Sequence, residues 1–305
     1  MNITISMLKS MNSNFSESEL AILATICYFD IFDYPLTAPE IHQNLVRTAL
    51  PIDSILIALK NEPLRSILVH KNGYYVLAGR EEIINIRNSR FEFSQRHLWP
   101  LAIRYGWYIA NLPYVRMVGV TGSLSMNNTF KYSDIDFFIV AKAKRVWVCR
   151  LLVFLLQKAS VLNGTVLCPN YIISEENLAI SEQDLFTAYQ LTHIIPITNT
   201  AMYKRILRSN NWIYKFLPNT RNGRKARLPF QTNHPLKTLA ELALNNPIGI
   251  WLDLGERARV LKKYGNIESS SKETSFLPDR YKGHFSGHAK RTEGLFLKRL
   301  EEILI

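Results

Sequence analysis

Two aspartates, Asp134 and Asp136, have the type and spacing that most directly indicate chemistry. They lie at the start of the otherwise apolar run SDIDFFIV. Alternate side chains of a strand point to the same face, so the two carboxylates share one face, about 6.5–7 Å apart along the backbone. Two carboxylates on a buried strand repel each other and are costly to desolvate. Because a divalent cation removes both difficulties, the pattern predicts that Asp134 and Asp136 are catalytic, metal-binding residues.

A glycine–serine pair upstream of the aspartates indicates a phosphate site. Gly122 and Ser123 follow the run VRMVGVT, whose apolar and β-branched residues predict a short buried strand over 115–120. Gly122 allows a close approach of the backbone, and Ser123 can cap a helix while offering its hydroxyl to a phosphate. Phosphate groups on one side and metal-binding carboxylates on the other form the arrangement that phosphoryl transfer needs.

The combination of Gly122-Ser123 with Ser133-Asp134-Ile135-Asp136-Phe137 resembles the signature of the nucleotidyltransferase superfamily, which has a DNA polymerase beta-like fold. The resemblance covers residues 112–175. It implies Mg²⁺ or Mn²⁺ as cofactor and a nucleoside triphosphate (NTP) such as ATP as substrate. A nucleoside monophosphate would pass to a hydroxyl acceptor, and Gly122 and Ser123 would hold the phosphates.

The resemblance implies two further candidate site residues, Arg150 and Asn170. Arg150, on a helix predicted over 145–160, is interpreted either as a nucleotide-binding cation or as an exposed helical arginine. Members of the superfamily usually carry a third carboxylate on the strand after the paired aspartates, but the run TVLCPNYIIS over 165–174 has none. Asn170 occupies its middle. Because an amide oxygen can ligate a metal but cannot accept a proton, Asn170 is a candidate metal ligand, and a regulatory protein that binds nucleotide without turnover is the alternative to an enzyme.

The N-terminal part has the element order of a winged helix. Residues 16–79 predict three helices and then two strands around Asn72-Gly73, a strong hairpin signal, and so resemble a winged helix-turn-helix domain. The presumed recognition helix, 51–61, offers only Lys60 as a cation. A helix that reads a DNA groove normally carries several polar or basic side chains. We favour an intramolecular or protein-contact role and keep a DNA-binding regulator as the alternative.

Positive charge is concentrated in the C-terminal third. Residues 201–305 hold 20 Lys and Arg against 9 Asp and Glu, a net charge of +11, whereas residues 1–200 hold 17 against 16, a net charge of +1. An anionic acceptor such as nucleic acid is therefore expected to bind the C-terminal third.

The sequence predicts an α+β protein with an N-terminal winged helix, a central nucleotidyltransferase-type mixed β-sheet with flanking helices, and a helical C-terminal region. The predicted boundaries are a disordered start over 1–15, a winged-helix-like domain over 16–79, connecting helices over 80–111, a core over 112–180 and a basic helical region over 181–305. Within the last region, residues 266–287 are expected to form an irregular connection.

The cellular location is predicted from the absence of two signals. The N-terminus lacks a basic start followed by a long apolar stretch, and no apolar run is long enough to span a bilayer. The three cysteines, Cys27, Cys149 and Cys168, are dispersed and suit a reducing compartment. We expect a cytoplasmic protein with no membrane partner.

Overall fold

The computed structural model describes residues 4–220, 235–270, 274–283 and 287–304. These residues form an α+β structure around a mixed β-sheet, which confirms the predicted fold class at that level. In these ranges no helix combines the length and the apolar content that crossing a bilayer requires.

The N-terminal part contains the predicted helices and hairpin. Its elements are α1 Ile5–Met11, α2 Glu17–Asp30, α3 Ala38–Gln43, α4 Ile52–Ala58, α5 Leu64–Ile67, β1 Leu68–Lys71 and β2 Tyr74–Leu77. Ser16 and Thr37 each begin a helix with a complete capping box, because a glutamate three residues later bonds back to the capping residue. We expected a disordered start over 1–15, but helix α1 forms there and buries Leu8.

A long helical segment leads from the N-terminal part to the sheet. It comprises α6 Ile83–Phe93, a π-helical turn Ser94–Leu98 and α7 Trp99–Asn111. The π-helical turn places Ser94, Gln95 and Trp99 beside the loop that follows the Gly122-Ser123 turn. Single π-helical turns are frequent at functional sites because they redirect side chains locally.

The six-stranded sheet has the order β6-β3-β4-β5-β8-β7. Its strands are β3 Val115–Val120, β4 Ile135–Ala141, β5 Leu167–Ser174, β6 Ile195–Pro196, β7 Thr274–Leu277 and β8 Arg280–Gly283. Strands β4 and β5 are parallel, and the other neighbours are antiparallel. The expectation of an irregular connection over 266–287 is wrong, because β7 and β8 form a hairpin that extends the sheet and buries Phe276 and Tyr281.

Helices cover both faces of the sheet. The remaining helices are α8 Gly122–Ser125, α9 Val146–Val161, α10 Leu185–Thr192, α11 Thr200–Ser209, a 3₁₀ helix Asn211–Lys215, α12 Pro235–Ala243, α13 Pro247–Ser270 and α14 His288–Leu304. Ile135, Phe137 and Ile139 belong to the core shared with α7, α9 and α13. Phe138 and Val140 point to the other face, where they share a core with α10, α14 and the N-terminal helices.

The N-terminal helices pack on the sheet domain through Asn44, which follows α3. The Asn44 side chain is buried, its Nδ2 donates to Glu40 O at 2.9 Å, and its Oδ1 lies 2.8 Å from His193 Nε2 on the far side of the interface. The backbone oxygen of Asn44 accepts a hydrogen bond from the Tyr189 hydroxyl at 2.7 Å. These contacts fix α3 against α10.

We expect Asn44→Ala to lower the free energy of unfolding by about 1–3 kcal/mol, since it removes a buried partner of His193 and one of the two donors to Glu40 O. Urea unfolding of the full chain measures this. Asn85→Ala, at an exposed side chain, is the control and should change stability by less than about 0.5 kcal/mol. Equal effects of the two substitutions would contradict a structural role for Asn44.

Candidate functional site

The predicted glycine turn and the second predicted aspartate are in direct contact. Gly122 has φ +65°, and a Cβ at this position would lie 2.1 Å from Asp136 Oδ2. The backbone of the same turn is joined to β4, because Thr121 N donates to Asp136 O at 3.0 Å. Only glycine combines this left-handed conformation with the space that the carboxylate occupies. The two halves of the sequence motif are therefore adjacent in the fold.

Asparagine-rich residues after α8 hold the Gly122-Ser123 turn in place. Ser123 O accepts hydrogen bonds from Met126 N at 3.2 Å and Asn128 N at 2.9 Å, which closes the turn. Asn127 Oδ1 then accepts from Gln95 Nε2 at 2.8 Å and from Trp99 Nε1 at 2.7 Å. The loop between the turn and the aspartates is thus anchored on the π-helical segment.

Asp134 and Asp136 converge with a third side chain, Cys168, which the sequence analysis did not select. One ligand atom from each of the three residues lies within 4.8 Å of the others. Cys168 pairs directly with Asp136 in the parallel register of β4 and β5. The sequence predicts the strand that carries Cys168, but the position of Cys168 beside Asp136 follows only from the parallel pairing of β4 with β5.

The electrostatics of this group are unfavourable without a cation. Burial, and then repulsion from Asp134, holds the pKa of Asp136 well above its usual range. Burial, and then a hydrogen bond to Asp134, raises the pKa of the Cys168 thiol. Since the folded state holds the Asp136 proton more tightly than the unfolded chain, ionised Asp136 lowers stability as the pH rises through its pKa.

Asn170 reaches the same group through an irregularity of β5. Asp136 pairs with Cys168 and Phe138 pairs with Tyr171, so two residues of β5, Pro169 and Asn170, lie opposite one residue of β4. This is the geometry of a β-bulge, and Pro169 suits it because proline has no N–H to donate to the sheet. Asn170 Nδ2 donates a short hydrogen bond to Asp136 Oδ1. Asn170 therefore lies where the sequence analysis placed a third ligand.

A cavity of about 610 Å³ opens over these residues. Gly122, Ser123, Asp134, Asp136 and Asn170 all line it. Its opposite wall is aromatic and comes largely from the N-terminal part and α10, with Tyr28, Phe29, Phe32, Tyr34, Phe186 and Tyr189. A volume of this size suits a small molecule or a nucleotide.

The remaining predicted site residue, Arg150, also lines the cavity, but its charge is compensated. Its guanidinium forms a short ion pair with Glu256 of α13 and lies 4.8 Å from the centre of the Tyr281 ring. Glu256 also pairs with Arg259 at 2.7 Å. The interpretation of Arg150 as an exposed helical arginine is wrong, because the residue is 7% exposed. A contact between Arg150 and a nucleotide would therefore compete with the ion pair between Arg150 and Glu256.

The donor set fits a hard divalent cation. Carboxylate and amide oxygens are the protein ligands that Mg²⁺ and Mn²⁺ prefer, and Asp134, Asp136 and Asn170 supply them. Reversal of the Asn170 amide would present Oδ1 in place of Nδ2. The protonated Cys168 thiol is a poor ligand for these ions. Among the residues that the structure describes, this is the one place where at least three His, Cys, Asp or Glu side chains converge suitably.

Comparison with protein-family models, curated proteins and solved structures finds no match to this chain.

We expect Gly122→Ala to weaken binding of ATP with Mg²⁺ at least about tenfold, because the new methyl group displaces the Asp136 carboxylate that would hold the cation. Isothermal titration calorimetry measures this. Gly164→Ala is the matched control: Gly164 has φ +69°, and a Cβ there meets nothing within 4 Å.

Both alanines carry a similar backbone penalty of about 1–2 kcal/mol. A binding defect shared equally by the two variants would therefore trace to instability and contradict the steric role of Gly122.

Proposed function

We propose that this chain binds an NTP together with Mg²⁺ or Mn²⁺ and transfers a nucleoside monophosphate to a hydroxyl acceptor. The observation that carries the proposal is the contact between the Gly122 turn and Asp136, with Asp134 beside it in one cavity. Phosphate groups and metal-binding carboxylates must lie this close in any metal-assisted phosphoryl transfer.

Each residue has a specific role in this proposal. The Gly122 backbone lets the phosphates approach β4, and the Ser123 hydroxyl donates to a phosphate oxygen. Asp134 and Asp136 would hold the cation, with the Asn170 amide oxygen as a third ligand. When bound, the cation would neutralise charge on the phosphate oxygens and on the leaving pyrophosphate.

The positive charge of a bound cation matters because the side chains that line the cavity supply little positive charge themselves. Arg150 is the one Lys or Arg among the described residues that line the cavity, and it is ion-paired with Glu256, which also pairs with Arg259. We therefore expect NTP binding to depend strongly on the divalent ion.

A second candidate function is nucleotide binding without turnover. Its specific support is Asn170, which donates to Asp136 where the superfamily has a carboxylate. An amide cannot take the proton of the attacking hydroxyl. On this alternative, the chain senses or holds an NTP, and a partner reads the bound state.

We propose that the winged-helix-like part forms a wall of the cavity and does not read DNA. Tyr28, Phe29 and Phe32 support this, because they line the cavity on its aromatic side. Helix α4, the presumed recognition helix, exposes Asp53 and Ile57 instead of basic side chains.

The proposal of an anionic acceptor at the C-terminal third does not extend to several described cations that form ion pairs. Lys282 pairs with Glu182 at 2.8 Å, Arg299 pairs with Asp30 at 3.2 Å and Arg259 pairs with Glu256. These charges stabilise the fold, so they are less available to a nucleic acid.

We expect the double substitution Asp134→Asn with Asp136→Asn to abolish the Mg²⁺ dependence of ATP binding and to weaken binding at least about tenfold, because the neutral amides cannot replace two anionic ligands. Calorimetry with and without Mg²⁺ measures this. Asp53→Asn, at an exposed aspartate of α4, is the control. Unchanged Mg²⁺-dependent affinity in the double variant would rule out this metal site.

We expect Asn170→Asp to increase pyrophosphate release from NTPs by about a hundredfold or more if transfer is limited by a missing base. Asn170→Ala is the control, since it removes the amide without adding a carboxylate. Release is measured with a coupled phosphate assay in the presence of Mg²⁺. Tighter Mg²⁺ binding without any release in Asn170→Asp would favour the non-catalytic alternative.

A further inference from the structure

Helices α12 and α13 expose a set of large apolar side chains that we call the apolar face. Its members are Leu236, Leu239, Leu242, Ile248, Ile250, Trp251 and Leu254. Trp251 is 81% exposed, Leu236 68% and Leu254 62%. A concentration of large exposed apolar side chains on two consecutive helices of a folded protein indicates an interaction site.

The acidic residues of 235–266, the segment that forms α12 and most of α13, all point inward. Residues 235–266 contain three, Glu241, Asp253 and Glu256. Glu241 pairs with Arg116 at 2.8 Å, and Asp253 accepts hydrogen bonds from the backbone amides of Trp147 and Val148. Glu256 is buried against Arg150 and Arg259. No carboxylate of 235–266 is thus left on the outer side, where Lys262 and Lys263 are exposed.

Helix α9, which packs beside α13, also exposes apolar and basic side chains. Helix α13 runs parallel to α9, because Asp253 contacts Trp147, Glu256 contacts Arg150 and Arg259 lies 5.2 Å from the Phe154 ring centre. The sequence of α9 contains no acidic residue, and α9 exposes Leu155, Lys158 and Val161, followed by exposed Leu162. The outer surface of this two-helix layer therefore combines apolar side chains with positive charge.

We propose that the apolar face binds the surface of an anionic lipid membrane. Helices that lie in a membrane interface place Trp and Leu among the acyl chains while Lys and Arg contact anionic headgroups. No spanning segment is needed, and this proposal replaces the expectation of no membrane partner. A symmetric pair of copies would instead bring the lysines of both chains together without a carboxylate of this segment between them, so charge complementarity favours lipid over a second copy.

Sedimentation of the full-length protein with lipid vesicles tests this proposal independently of nucleotide binding. The vesicles contain phosphatidylcholine alone or phosphatidylcholine mixed with phosphatidylglycerol. We expect binding to the mixed vesicles, weakening as salt is added, and at least about tenfold weaker binding to phosphatidylcholine alone. Equal binding to both compositions, or no binding to either, overturns the proposal.

Two sets of variants locate the binding surface. Trp251→Ser with Leu254→Ser should reduce binding to mixed vesicles at least about tenfold, because both apolar contacts are lost. Ile57→Ser, at an apolar residue of α4 that is 62% exposed, is the matched control and should bind as the wild type does. Equal binding by the wild type and the double serine variant overturns the assignment.

Lys262→Gln with Lys263→Gln should weaken binding by about fivefold for each charge removed and reduce its salt dependence. Sedimentation equilibrium of the protein without lipid tests the alternative that a second copy of the chain binds the apolar face. A wild-type dimer that dissociates in the double serine variant would make the face an interface between copies and overturn the lipid assignment.

Discussion

The burial of the Asp136 carboxylate beside Asp134 is the constraint on which the rest of the site depends. Both carboxylates lie at one end of a buried strand, where neighbouring charge and lost hydration are costly. Gly122 leaves room for the Asp136 carboxylate, and the bulge in β5 turns the Asn170 amide toward it. The Cys168 thiol, which also lies on β5, is hydrogen-bonded to Asp134. Each neighbour is neutral, so the local structure accommodates the negative charge without cancelling it. Functional sites commonly retain instability of this kind because their ligand resolves it.

The adjacency of the glycine turn and the aspartates could be predicted because it depends on short-range sequence. Consecutive strands usually pair with each other, and β3 and β4 pair antiparallel, so a residue just after β3 lies near the start of β4. The capping boxes at Ser16 and Thr37 and the Asn72-Gly73 hairpin are equally local signals.

The features that the sequence analysis missed depend on distant contacts. Cys168 becomes part of the site through the parallel pairing of β4 with β5. The β7–β8 hairpin is stable because β8 pairs with β5, more than a hundred residues earlier in the chain. The partner of Arg150 is Glu256, and neither residue has a local pattern that identifies the other. Amino-acid type and periodicity do not encode such pairings, since many alternative partners satisfy the same pattern.

The cavity wall has a consequence for how the protein reaches its native state. Tyr28 of α2 packs 5.4 Å from the Phe296 ring of α14, and Asn12 Nδ2 donates to Leu304 O at 3.2 Å. His288 and Thr292, near the start of α14, also line the cavity. The first and last helices are thus in contact across almost the whole chain, and contacts of such separation form late because they close the largest loop. During synthesis α14 must leave the ribosome before it can dock on α2. The aromatic side of the cavity is therefore completed only after α14 has been synthesised, and a chain truncated before α14 would leave Tyr28 without its Phe296 contact.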